Sequence, residues 1–158
     1  MLKIRTLGVV VLVGLGALFA GNAGADSTVM EVNGHVQDEA VGGAGCESPV
    51  GFCTAGQLTG GIQGQLDFTV TSLTPVAPDG VLAFTAVSTI STATGDIHCV
   101  DSGSFNTAPG SDGEGVHLCV IAGGTGEYAG ASGYLQERFT FMGTAGQGRY
   151  TGKVVKSS

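Results

Sequence analysis

Acids spaced two residues from apolar neighbours are the positions in this 158-residue chain best suited to chemistry. In a strand, alternate residues share a face. Glu137 then lies on the same face as Leu135, Phe139 and Phe141, and Asp101 on the same face as Ile97 and Cys99. A carboxyl held among such side chains can move a proton or stabilise developing charge. Glu137 and Asp101 are therefore the candidate catalytic acids. Tyr128 and Tyr134, as hydrogen-bond donors, and Phe139 and Phe141, as apolar wall, are the candidate ligand-binding residues. Three other charged residues are weaker candidates. Asp67 faces away from Leu66, Phe68 and Val70, which suits a solvated acid, and Arg138 suits the outside. Glu31 is an acid near the start of the first strand.

A metal is the competing chemistry. His98, Cys99, His117 and Cys119 supply two imidazoles and two thiols within paired strands, a donor set that zinc accepts. Neighbours on a strand point to opposite faces, so His98 cannot join Cys99, although His117 and Cys119 share a face. In an oxidising compartment the thiols pair instead, and no metal or other cofactor is expected. No nucleophile-elbow motif is present, and no phosphate-binding loop precedes a helix.

The elements that must position these residues read as strands. Apolar residues are not sustained at helical spacing, and 29 glycines are scattered through the chain, which disfavours helices. Strand patterns fall at Val29–Val36, Gln65–Leu73, Val81–Thr92, Ile97–Asp101, Val116–Ile121, Tyr134–Met142 and Gly148–Val155, with Asn33-Gly34 a turn or bulge signal in the first. Turn clusters separate them at Thr74–Gly80, Thr94–Asp96, Pro109–Gly113 and Gly143–Gly146; Gly42–Gly64 reads mostly as loop. Seven or eight strands at hairpin spacing without crossover helices make an antiparallel sandwich or closed barrel.

Residues 1–25 have the anatomy of a secretory signal peptide: Lys3 and Arg5, an apolar run from Leu7 to Ala20, and Ala23-Gly24-Ala25 before the cut. The apolar run is too short for a membrane span. Residues 26–158 then form a single domain, secreted or periplasmic, with no membrane partner after cleavage. Losing two of six basic residues and none of thirteen acids leaves a net charge of −9. Such a surface repels phosphate backbones, so no nucleic-acid partner is expected.

Four cysteines in an exported chain read as two disulfides. Three pairings are possible, of which Cys46–Cys53 and Cys99–Cys119 are favoured. The first closes the short loop CESPVGFC. The second joins two strand segments across a loop near 20 residues, contributing about 3 kcal/mol.

The segment VIAGGTGEYAGASGY, Val120–Tyr134, adds a resemblance. An apolar strand, Gly-Gly-Thr-Gly, an aromatic followed by x-x-Ala-x-Gly and another strand resemble the barrel shared by plant dirigent proteins and allene oxide cyclases. The strands LQERFTFMG and GRYTGKVV suit the same barrel, and VLAFTAVSTI and DIHCVDSGSFNT suit it more loosely. The resemblance implies an all-β, antiparallel eight-stranded barrel, a homotrimer, and an apolar cavity for a small hydrophobic ligand, with cyclase or isomerase activity as its catalytic extension. Where dirigent proteins carry a ligand-handling arginine before the last glycine of the motif, this chain has Ser132. That departure argues against phenoxy-radical coupling. A non-catalytic extracytoplasmic structural or surface protein is the alternative reading.

Overall fold

The computed structural model describes residues 27–76, 80–107 and 112–157. The expected signal peptide lies outside the described residues, as do parts of the turn clusters at Thr74–Gly80 and Pro109–Gly113. Eight strands account for almost all of the rest: β1 (Ser27–Val41), β2 (Cys53–Gly60), β3 (Gly64–Pro75), β4 (Val81–Thr92), β5 (Gly95–Thr107), β6 (Asp112–Gly124), β7 (Ser132–Met142) and β8 (Ala145–Ser157). Each pairs antiparallel with the next. β1 also pairs with β8, from Ser27 opposite Ser157 to Glu39 opposite Ala145, which closes the barrel. Closure leaves no strand edge free among them.

Two local expectations are corrected. Gly42–Gly64 is not mostly loop, because β2 lies within it, paired with β1 and β3. Its two glycines and single leucine hide the alternation, although Leu58 is buried in the core. Asn33-Gly34 is neither turn nor bulge. Gly34 sits in mid-β1 opposite Tyr150, and a Cβ there would lie 2.6 Å from the Tyr150 hydroxyl. Glycine is needed because the tyrosine ring crosses that position.

The two halves of the barrel are filled differently. One end is solid: Val32, Val36, Leu58, Ile62, Leu66, Ile90, Ile97, Ile121, Leu135 and Val154 form one core, with the disulfide Cys99–Cys119 inside it. The glycine-rich segment seals this end. A 3₁₀ turn at Gly126–Tyr128 folds under the barrel and brings Tyr128 and Ala131 into the core. It is stitched to the β4–β5 turn: the Thr125 N–H donates to the Asp96 carbonyl (2.9 Å), and the Glu127 N–H to the Thr94 carbonyl (3.0 Å). Gly126 takes φ 55°, and a Cβ there would collide with the Thr94 carbonyl oxygen. Only glycine allows this approach without strain.

At the other end lie the β7–β8 turn and the loop closed by the disulfide Cys46–Cys53. Both disulfides pair as favoured from the sequence. The interior here is lined by phenylalanines and is not filled. A single tyrosine secures the solid half. The Tyr150 hydroxyl accepts the Ile62 N–H at 2.8 Å and lies 3.1 Å from the Thr59 and Ile62 carbonyls, to one of which it donates. Tyr150→Phe leaves the buried Ile62 N–H unpaired and should cost about 1–3 kcal/mol of unfolding free energy in urea titrations. A loss below about 0.5 kcal/mol would mean that this loop is held by something else.

Candidate functional site

Alternation along three adjacent strands brings Asp101, His117 and Glu137 together inside the barrel. On β5 the buried residues Ile97, Cys99 and Asp101 face inward. His117 faces the same way on β6, directly opposite Glu137 on β7. His117 Nε2 lies 2.8 Å from Asp101 Oδ1, and Nδ1 lies 3.2 Å from Glu137 Oε2. The Asp101 side chain has no solvent exposure; those of His117 and Glu137 have 12% and 13%. Only a protonated ring can donate from both nitrogens. Burial pushes the imidazole toward neutrality, but hydrogen bonds and charge from Asp101 and Glu137 outweigh it, raising the His117 pKa to about 9. Phe68 and Phe84 pack against the ring, with centroids 5.2 and 6.0 Å away.

His117 and Glu137 border a cavity of about 270 Å³ in the open half of the barrel. Its wall is aromatic, with Phe52, Phe68, Phe84, Phe105, Phe139 and Phe141, and Phe105 and Phe141 pack edge to face. His117, Glu137 and a further acid, Asp38 of β1, also line it. Two glycines make room for the acids: a Cβ at Gly148 would collide with Glu137 Oε1, and one at Gly146 with Asp38 Oδ1. Burial raises the Asp38 pKa, a shift opposed by the Thr54 hydroxyl and reinforced by the charge of Glu137.

Of the residues singled out from the sequence, Glu137, Phe139 and Phe141 line the cavity together. Asp101 does not line it. It sits behind His117, with its second oxygen, Oδ2, buried and without a hydrogen-bond partner among the described residues. Any part it plays in chemistry runs through the imidazole.

Two ligand-binding assignments are corrected. Tyr134 lies on the outer face, 40% exposed, because its neighbour Leu135 points inward. Tyr128 is buried at the sealed end with the Lys156 ammonium 4.3 Å from its ring centre, away from the cavity. Asp67 and Arg138 are exposed, as expected, and Ser132 is exposed too. Glu31 is exposed on the outer face and pairs with Lys153 at 2.8 Å. The zinc constellation is not assembled: Cys99 and Cys119 are bonded to each other, and exposed His98 lies 3.4 Å from the Thr89 hydroxyl.

Sequence reasoning missed Asp38 and the part played by His117. Asp38 lies beyond the strand pattern Val29–Val36, although Val32, Val36 and Asp38 keep one alternation. The sequence pattern presents His117 as a metal ligand alone. Its shared face with Cys119 and Ile121 was the signal that it points into the core.

No family model matches this sequence, and no curated protein sequence matches it either. Among solved structures, the pterocarpan synthase dirigent protein superposes with a TM-score of 0.51, over 85% of this chain and 93% of that one, at 16% identity. The fold is a dirigent-like barrel. At that identity the likeness carries architecture alone. The dirigent-like barrel thus has one sealed, apolar half and one half hollowed beside two acids and one imidazole.

The raised His117 pKa ties stability to pH. Because the folded-state pKa lies above the unfolded value near 6.5, the contribution is fully present below pH 6.5. It is lost as pH rises through about 9. The contribution is on the order of 3 kcal/mol. Urea unfolding of the native protein should lose that much between pH 6 and pH 10, and His117→Gln should lose far less. An equal loss in both proteins would show that His117 is not the group responsible.

Proposed function

We propose that this protein binds one small apolar molecule in its phenylalanine-lined cavity, and that the acids there extend binding to cyclase or isomerase chemistry. The observation that carries this reading is the cavity itself: an aromatic wall interrupted by Asp38 and Glu137 at one end of a closed barrel. Small-molecule sites are concave and mostly apolar, with a few placed polar groups. A dry cavity of about 150 Å³ accommodates benzene, so about 270 Å³ suits a single-ring molecule with several further atoms. The dirigent-like fold and two disulfides fit an extracytoplasmic protein. Export through residues 1–25 completes this proposal.

Each group has a distinct part in the proposed chemistry. The aromatic wall holds a flexible substrate in a compact, reactive conformer. Asp38, in the cavity wall, can orient a polar group of the substrate. The Glu137 carboxylate, hydrogen-bonded to His117, is placed to stabilise developing positive charge or take a proton. Asp101 is a positioning residue, holding the imidazole from behind. This division of labour favours a catalytic cavity over a purely structural barrel, in which the interior would be filled at both ends.

Benzyl alcohol is a suitable neutral probe. Its titration should produce saturable NMR shifts confined to the rings of Phe68, Phe84, Phe105 and Phe139. Ala40 lines the cavity from the β1 side. Ala40→Trp, which fills the space, should weaken binding about tenfold or more. Shifts that never saturate, or that spread across the outer face, would remove the proposal.

A further inference from the structure

The charges inside the barrel do not balance. Three carboxyl groups, Asp38, Asp101 and Glu137, point into it, against a single cationic side chain, His117. Both His117 nitrogens are committed, one to Asp101 and one to Glu137. Among the described residues, Asp38 therefore has no cation of its own. All four basic residues among the described positions face elsewhere. Arg138 and Arg149 are exposed; Lys153 pairs with Glu31, and Lys156 pairs with Glu127 beside Tyr128. Among the described residues, no lysine or arginine lines the cavity.

The wall has a matching character. The rings of Phe52, Phe84, Phe105, Phe139 and Phe141 form a connected series, with centroid separations of 5.8–6.4 Å. Aromatic faces carry negative potential and attract cations, most strongly where water is excluded. A carboxyl without a counter-ion among such rings suits one chemical class better than a neutral hydrocarbon. That class is an organic ammonium: an apolar body of about one ring bearing a single positive charge.

We propose that the cavity selects a cationic amine over a neutral or anionic molecule of the same shape, with Asp38 as the counter-ion and the phenylalanine rings as the cage. The inference rests on the cavity being a binding site and adds the charge of the occupant. Asp38 lies with Thr54, Phe141 and Gly146 in the cavity wall. An ammonium there would meet the carboxylate on one side and ring faces on the others. Glu137 would add attraction from across the cavity, because its charge already reaches Asp38. An anionic ligand would meet the two carboxyl groups and no free cation.

Three probes of one size test this: benzylamine (an ammonium at pH 7), benzyl alcohol and benzoate, each titrated into the purified protein with NMR or calorimetric detection. The expected order is benzylamine tighter than benzyl alcohol by about tenfold or more, with benzoate showing no saturable binding. In Asp38→Asn the benzylamine-to-alcohol affinity ratio should collapse toward one. In Asp67→Asn, which removes an exposed acid on the outer face, the ratio should be unchanged. A melting curve like that of the native protein checks that Asp38→Asn is folded. If benzyl alcohol binds as well as benzylamine, the charge inference fails and the apolar-cavity reading survives. If none of the three binds, both fall. A ratio that persists in Asp38→Asn overturns the assignment of the counter-ion.

Discussion

Two carboxylates and one imidazole share the middle of the barrel, and protonation of the imidazole is what makes their burial tolerable. An isolated carboxylate taken from water costs several kcal/mol. Placed on either side of an imidazolium, at 2.8 and 3.2 Å, Asp101 and Glu137 each recover part of that cost through charge-assisted hydrogen bonds. The arrangement draws one residue from each of β5, β6 and β7, so it exists only when those strands hold their register. Asp101 lies directly opposite Cys119 on the β5–β6 ladder, two residue pairs from His117 and beside the Cys99–Cys119 disulfide. The network therefore marks the boundary between the sealed half and the hollow half.

Space for these groups comes from glycines on neighbouring strands. A narrow barrel has room for only some of its inward-facing side chains. Here a large residue on one strand repeatedly meets a glycine on the next: Tyr150 against Gly34, Phe84 against Gly103, Phe141 against Gly113, Phe139 against Gly115 and Glu137 against Gly148. The glycine abundance that makes the sequence look loose is, in these strands, a packing device. It also shapes the cavity, because the rings lean into spaces where the facing strands have no Cβ. Asp38 uses the same device twice, lying against Gly56 and Gly146.

Much of this was legible in advance, and the reasons differ between elements. β4 is one long β-branched run, so its bounds could be read directly. The alternation of β7 showed the inward face of Glu137, Phe139 and Phe141, although the strand begins at Ser132 rather than Tyr134. The Gly-Gly-Thr-Gly segment carried the resemblance that selected a barrel over a sandwich. β2 was hidden because Gly56 and Gly60 dilute its pattern to a single buried leucine. Tyr134 was misjudged because an aromatic beside a glycine motif was given a ligand role, although the alternation that turns Glu137 inward turns Tyr134 outward. Asp38 required knowing that β1 continues past Val36 to pair with β2 and β8, a tertiary fact that local pattern does not contain.

The cavity is polar on one wall and aromatic elsewhere, with His117 as a fixed positive charge between two acids. The reach of Asp38 and Glu137 toward a ligand depends on that charge staying in place at neutral pH. Nitrogen-15 NMR of the His117 side chain reads it directly. The ring should be doubly protonated at pH 7.5 and titrate near pH 9. A neutral ring in a single tautomer at pH 7.5 would contradict it.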